Sequence, residues 1–167
     1  IKPAAKATET GVVGVLATAG TLKATKYIDT RAKWAQGVTI VEHIGQGFVE
    51  LVEKGILNGP DAESTVSASL KPLLDAGADT IVLGCTHYPI LYDKIRRYTP
   101  EHVKIVTQGE YVARSLTDYL RRHPEMDSLC TRQGTCRFLT TESVEVFKDY
   151  ASIFFDDNIE VKSVALV

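Results

Sequence analysis

TIVLGCTHYP, at residues 80–89, runs from a short apolar segment into a glycine and then into a group of reactive side chains. Residues 80–83 are typical of a strand buried in a parallel sheet. Pro89 favours a helix that begins near Ile90. Because ligands of open α/β sheets bind where such strands end, the stretch predicts an α/β fold with a functional site around Cys85.

The side chains that follow this strand suit proton transfer or nucleophilic attack. A thiol at Cys85, close to the positive end of the next helix, is expected to favour the thiolate. His87 can exchange protons near neutral pH, and Thr86 offers a hydroxyl and a backbone N–H to a substrate carboxylate. The alternative is a structural Cys85 with a capping Thr86 and a surface His87.

Strands and helices are predicted to alternate along the rest of the chain. The predicted strands are 11–17, 38–41, 80–83, 102–106, 135–140 and 159–166. Three predicted helices have both bounds: 21–35, 110–122 and 142–154. Three more are a helix that carries Phe48, Leu51 and Val52, a helix that ends at Gly77, and a helix that begins near Ile90. We therefore expect the α/β class, with a mostly parallel sheet and helices on both faces.

The end of the first predicted strand offers a second contact for a ligand. Thr18 and Thr21 flank a short turn before a helix, where hydroxyls and backbone amides can hold an anionic group. The segment is not a dinucleotide fingerprint, because Gly14 lies within the strand and Gly20 within the turn. Ordinary helix capping is the alternative for each threonine.

Composition narrows the class of protein. The 167 residues are 44% hydrophobic and carry a formal net charge of -2. This length and hydrophobic content are enough for a buried core and indicate one domain, or one domain and part of another. The sequence has no basic stripe of the kind that indicates binding to nucleic acid. It also has no apolar run long enough to cross a membrane. The three cysteines are too widely spaced for a disulfide framework, so we expect a cytoplasmic protein. Cys130 and Cys136 lack the second ligand pair of a zinc knuckle, so no metal is expected.

Residues 81–91, IVLGCTHYPIL, closely resemble the second catalytic motif of glutamate racemases. Residues 11–18 with Thr21 and Tyr27 resemble the strand that opens the family's second domain. FVELVEKG at 48–55, GEYVA at 109–113 and IEVKSV at 159–164 resemble later segments of the family, in the same order. Related aspartate racemases usually carry Glu where this chain has His87, which favours glutamate as the substrate.

The resemblance implies an isomerase without cofactor or metal that interconverts L- and D-glutamate by proton transfer with two thiols. Its product D-glutamate would serve bacterial peptidoglycan synthesis. By the resemblance, Cys85 takes the proton from the L-enantiomer, and His87 and Glu53 assist the transfer. The substrate-binding residues that it implies are Thr86, His87, Thr18 and Thr21.

The second catalytic cysteine of the family lies in an N-terminal half that has no counterpart in this sequence. We therefore expect the C-terminal part of a racemase, inactive alone. We expect a linker or hinge at 1–10, an α/β domain carrying Cys85 at 11–107, and a helix–strand segment at 108–167 that returns to the missing domain. The expected partners are glutamate and the N-terminal half of the same protein, and exposed apolar surface would allow homo-oligomers.

Three other classes of protein stay open. A non-catalytic α/β binding domain would keep Cys85 as a structural residue. A cysteine hydrolase or transferase would use Cys85 as nucleophile and His87 as base. A racemase of another acidic amino acid or of a hydantoin would keep the proton-transfer chemistry and change the substrate.

Overall fold

The computed structural model describes residues 1–132, 134, 137–152 and 159–166. The chain forms two compact units, Ile1–Arg114 and Ser115–Val167. The strands of the first unit are β1 (Val12–Ala17), β2 (Thr39–Ile44), β3 (Thr80–Gly84) and β4 (Lys104–Val106). Its helices are α1 (Lys2–Ala7), α2 (Ala19–Lys23), α3 (Thr25–Trp34), α4 (Phe48–Glu53), α5 (Pro60–Asp75), α6 (Tyr92–Arg97) and the start of α7 (Gln108–Arg122).

The four strands form one parallel sheet in the order β2–β1–β3–β4. The chain adds β2 on one side of β1 and β3 on the other, so the strand order reverses between β1 and β3. The register pairs Ala17 with Gly84, and the next residues, Thr18 and Cys85, therefore leave the sheet side by side. Open α/β sheets bind their ligands at such a reversal point.

Alternating side chains of the strands fill two cores, one on each face of the sheet. Leu16 and Leu83 point to the face covered by α4, α5 and α6. Val15 and Val82 point to the opposite face, where residues of α1, α2 and α3 pack. The predicted α/β class, with a parallel sheet and helices on both faces, is confirmed.

Two glycines permit close approaches at the carboxyl edge of the sheet. A Cβ atom on Gly84 would lie only 2.8 Å from the Cβ of Ala17, so β1 and β3 could not end so close together with a larger residue there. A Cβ on Gly45 would lie 2.6 Å from the phenolic oxygen of Tyr88. The carboxyl edge is therefore packed tightly around the residues that follow β3.

Several predicted boundaries differ from the structure. Residues 2–7 of the expected linker form helix α1, whose Ala4 is fully buried. The predicted helix at 21–35 is two helices, because Ala24 has an extended backbone between α2 and α3. The second strand continues from residue 41 to Ile44, since pairing with β1 runs as far as Ala17.

In the part of the second unit that the structure describes, the rest of α7 is followed by four short elements. These are α8 (Pro124–Asp127), β5 (Phe138–Thr140), α9 (Val144–Ala151) and β6 (Val161–Ser163). β5 and β6 pair in parallel, with Phe138 opposite Val161. Among the described residues, all three of the elements predicted here are shorter than expected, and residues 135, 136, 153 and 154 of those predictions lie outside the described residues. Among the described helices, none has the length and apolar character to span a membrane.

Candidate active site

Three titratable side chains form a chain of contacts at the end of β3. The Sγ of Cys85 lies 3.8 Å from Nδ1 of His87. Nε2 of the same imidazole lies 3.7 Å from Oε1 of Glu53, the last residue of α4. A carboxylate, an imidazole and a thiol in this order can move a proton to or from sulfur.

The buried Tyr88 joins the loop after β3, which carries Cys85 and His87, to the start of α4, which carries Glu53. Its hydroxyl donates a hydrogen bond of 3.2 Å to the carbonyl of Gly45, before α4. Its ring packs edge-on against Phe48 of α4, with 4.8 Å between ring centres. Burial, with smaller contributions from Cys85 and Glu50, raises the pKa of Tyr88 to about 12, so the phenol stays protonated and keeps donating.

The turn after Cys85 differs from the predicted one. Tyr88–Leu91 forms a single 3-10 turn, and the α-helix that follows begins only at Tyr92 rather than near Ile90. The thiol of Cys85 is instead in contact with the imidazole of His87, the residue before this turn.

Cys85 opens into a cleft of about 560 Å³ within the first unit. The cleft is lined by Cys85, Thr86, Pro89, Thr107, Gln108, Gly109, Val112 and Ala113. A volume of this size is typical of small-molecule sites. A second, mostly apolar cleft of about 310 Å³ adjoins it and shares Thr107, Gln108 and Val112. Thr21 lines the second cleft, whereas Thr86 lines the first.

Thr18 and Thr21 meet at the start of α2. The Thr18 hydroxyl accepts a hydrogen bond of 3.3 Å from the backbone N–H of Thr21, and the two hydroxyl oxygens lie 3.0 Å apart. Thr18 therefore caps α2, as one of the two sequence interpretations expected. The register of β1 and β3 still brings Thr18 beside Cys85. A role of either threonine in binding substrate stays a prediction.

The other two cysteines, Cys130 and Cys136, come late in the sequence. Cys130, in the second unit, is exposed, and its Sγ lies 3.6 Å from the carbonyl oxygen of Met126. Cys136 lies outside the described residues.

Sequence reasoning missed two residues of the cleft, Thr107 and Gln108. They follow β4 directly, as Cys85 and Thr86 follow β3. The carboxyl ends of parallel strands meet at one edge of a sheet. The position of these two residues directly after a predicted strand could therefore have identified them, as it identified Cys85.

The family model described as Asp/Glu/hydantoin racemase matches residues 2–116. A glutamate racemase of Roseiflexus sp. (strain RS-1) is 40% identical over 88% of this chain and 54% of its own length. One from Pseudomonas putida (strain F1) is 37% identical over 99% of this chain and 62% of its own length. This chain thus spans a little more than half the length of these relatives.

Solved structures agree with these similarities. The glutamate racemase isoform RacE1 of Bacillus anthracis superposes with a TM-score of 0.84 at 29% identity, over 99% of this chain and 63% of that one. Escherichia coli glutamate racemase, solved with L-glutamate and the activator UDP-MurNAc-Ala, gives a TM-score of 0.79 at 27% identity, over 100% and 63%.

Proposed function

This chain belongs to the Asp/Glu/hydantoin racemase family, and we propose that it forms the Cys85-bearing part of a cofactor-independent racemase that interconverts L- and D-glutamate. The observation that carries the proposal is the contact of the Cys85 thiol with His87, which in turn meets Glu53. The cleft beside this thiol is large enough for one amino acid. We propose glutamate rather than another acidic substrate because these relatives are named glutamate racemases.

The proposed reaction is a proton exchange at the α-carbon. The thiolate of Cys85 removes the α-hydrogen of L-glutamate, so the C–H bond breaks, its electron pair stays on carbon and an S–H bond forms. A thiol on the opposite face then gives its proton to carbon, which inverts the centre and leaves a thiolate. The α-carbon is a very weak acid, so both sulfurs must lie close to it and away from water.

His87 and Glu53 prepare Cys85 for this step. The imidazole takes the proton of the thiol through Nδ1 before the reaction, at the 3.8 Å contact. Once Cys85 has taken up the α-hydrogen, the imidazolium releases its proton to solvent, and the opposing thiolate regains a proton from solvent. The Glu53 carboxylate, 3.7 Å from Nε2, stabilises the imidazolium while it holds that proton. Thr86 binds the α-carboxylate next to the thiol, and Thr18 and Thr21 supply further polar groups at the neighbouring strand end.

The opposing thiol comes, in this proposal, from a further lobe of the longer protein. The relatives are longer than this chain, which covers 54% and 62% of the two described above. We therefore expect this chain alone not to racemise glutamate. In the bacterial cell, the D-glutamate formed would supply peptidoglycan synthesis.

The first test is solvent deuterium incorporation at the α-carbon of L- and D-glutamate by the full-length protein. Removing a general base typically costs about 10² to 10⁴ in rate, and we expect Cys85→Ser to lose exchange by that factor. Cys130→Ser is the matched control, because that thiol is exposed in the second unit, and should exchange at the wild-type rate.

No exchange by the folded wild-type protein would refute the racemase proposal. A covalent acyl adduct on Cys85, seen by mass spectrometry, would instead favour a hydrolase or transferase. The 3.8 Å contact of Cys85 with His87 is the observation that makes this the second candidate, since a nucleophile and its base show the same contact.

A further inference from the structure

The carbonyl oxygen of Gly45 joins the start of α4 to the loop after β3. It accepts a hydrogen bond of 3.3 Å from the backbone N–H of Phe48, the first residue of α4. It also accepts one of 3.2 Å from the hydroxyl of Tyr88, which lies 43 residues later. A carbonyl oxygen has two lone pairs and can hold both donors at once. The segment that carries Glu53 and the segment that carries His87 therefore share one acceptor.

Tyr88 fills the space between these two segments. Its side chain is fully buried, and its ring meets the ring of Phe48 edge-on. A Cβ atom on Gly45 would lie 2.6 Å from the phenolic oxygen and 2.7 Å from Cζ, so no further atom fits between them. Close-packed interiors resist displacement. The tyrosine therefore limits how far α4 and the loop after β3 can move relative to each other.

α4 connects this packed position to Glu53. The helix has only six residues, of which Phe48 is the first and Glu53 the last. A helix of this length is not stable by itself, so packing sets its position, and a shift of its first turn moves its last residue as well. The Glu53 carboxylate lies 3.7 Å from Nε2 of His87, and their attraction weakens as that distance grows.

We propose that Tyr88 is a positioning residue of the racemisation site: its hydroxyl and ring hold α4 where Glu53 reaches His87, and it acts on the Cys85 thiol through these two residues. This inference rests on the proposed function. Tyr88 is not among the described residues that line the cleft beside Cys85, so it acts without touching a substrate bound there.

The first test is a double-mutant cycle of Tyr88→Phe and Glu53→Gln in the full-length protein. Iodoacetamide alkylates the thiolate, so its rate at Cys85 near neutral pH, followed by peptide mass spectrometry, reports how readily this thiol loses its proton. We expect each single variant to slow alkylation by about twofold to fivefold, the contribution of one exposed ion pair. The double variant should be no slower than the slower single variant, because Tyr88→Phe has already removed the contribution of Glu53.

Turnover gives a second readout of the same cycle. The kcat for glutamate should fall by about twofold to fivefold in each single variant and no further in the double variant. The KM should not change, since Tyr88 does not contact the substrate. A tyrosine that only stabilised the fold would act independently of Glu53, and the two factors would then multiply.

Gly45→Ala alters the same contact from its other partner. Gly45 does not have a positive φ, so alanine suits its backbone, but the added methyl group must displace the phenol of Tyr88. Alkylation should slow as in Tyr88→Phe and should no longer depend on Glu53. Tyr98→Phe is the matched control, because that hydroxyl donates a bond of 3.3 Å to Glu63 between α6 and α5. It should alkylate and turn over as the wild type does and keep the full effect of Glu53→Gln.

Two results would overturn this inference: factors that multiply in the double variant, and alkylation of Tyr88→Phe at the wild-type rate. Either result, with racemisation by the wild type, would leave the racemase proposal intact. Non-additive alkylation in a protein that does not racemise glutamate would uphold the positioning role of Tyr88 and refute the racemase.

Discussion

Glu53 reaches the Cys85 thiol only through the imidazole of His87. Its carboxylate is more than half exposed, and the imidazole is about one-third exposed, so solvent screens the attraction between them. Exposed ion pairs are worth about 0–1 kcal/mol. Glu53 is therefore expected to be a positioning residue with a modest effect, unlike Cys85.

We predict that Glu53→Gln lowers kcat by about twofold to fivefold and leaves the KM for glutamate unchanged, since a pair of this kind contributes up to about 1 kcal/mol. The steady-state constants of the full-length protein measure both effects. Glu50→Gln is the matched control: Glu50 is exposed on the same helix, and the described ion pairs do not include it. An equal fall of kcat in both variants would show that the effect is one of general charge and not of contact with His87.

Sequence reasoning at this scale could identify residues by type and position but not by contact. Cys85 was predicted from its place after a buried strand, and His87 from its place two residues on. The contact of Glu53 with His87 joins the end of α4 to the loop after β3, 34 residues later, so no local pattern contains it. It depends on Tyr88, whose hydroxyl bonds to Gly45 and whose ring packs on Phe48.

Among the elements, α1 and the loop after it are anchored by the buried Asp79 at the start of β3. The carboxylate accepts hydrogen bonds from the backbone N–H groups of Glu9 and Thr10, at 2.6 and 2.7 Å. Burial alone would raise the pKa of Asp79, but hydrogen bonds from residues 8–10 and from Thr80 outweigh it and lower the pKa well below its ordinary value. The ionised carboxylate therefore stabilises the attachment of this segment.

We predict that Asp79→Asn destabilises the protein by about 1–3 kcal/mol at pH 7, the cost of removing a charged acceptor from part-buried backbone donors. Because the pKa is lowered on folding, this stabilisation is complete above the ordinary value of 3.8 and is lost as the pH falls below it. Urea unfolding from pH 7 to pH 2.5 should show the difference between wild type and Asp79→Asn shrinking only at the acidic end.

Asp75→Asn is the control for this prediction, because Asp75 is exposed and pairs only with Lys71 of the same helix. Its replacement should change stability by less than about 0.5 kcal/mol. The only tryptophan of the chain, Trp34, reports on the anchored segment, since Nζ of Lys2 lies 4.1 Å from the centre of its ring. A constant difference between wild type and Asp79→Asn across the whole pH range would contradict the role of the ionised carboxylate.

At the scale of the whole molecule, α7 carries an apolar stripe that is largely exposed. Val112 is 62% exposed, Leu116 55% and Tyr119 40%, and residues three or four apart lie on one side of a helix. Other side chains of α7 form ion pairs, Glu110 with Arg114 and Asp118 with Arg122. Contiguous exposed apolar surface of this kind favours association.

We predict that this chain, produced alone, self-associates through α7 and that Leu116→Glu weakens the association by at least about tenfold, because burying an unpaired charge is costly. Sedimentation velocity over a range of concentrations measures it. Arg121→Gln changes the charge by the same amount at an exposed position on the opposite side of the helix, and should associate as the wild type does. Unchanged sedimentation of Leu116→Glu would show that the stripe is not the contact.

The local pattern of the amino acids was enough to predict the four strands of the first unit, most of its helices, their alternation and the place of Cys85 at a strand end. It missed α1 and the break between α2 and α3. The predicted properties follow from neighbouring residues, since apolar periodicity and turn residues act over a few positions. Boundaries that depend on pairing were less accurate, as in β2, which continues to Ile44 because β1 is beside it.

Only the tertiary structure determines which residues lie near Cys85. Strand register brings Thr18 level with Cys85 and sets Thr107 and Gln108 one strand away, and Glu53 meets His87 where Tyr88 packs on the start of α4. Register and packing join segments that are tens of residues apart, and they depend on how whole faces bury their apolar side chains. A short pattern in one segment cannot contain that information. The resemblance to a family could name Glu53, Thr18 and Thr21, but only the tertiary structure decides their contacts.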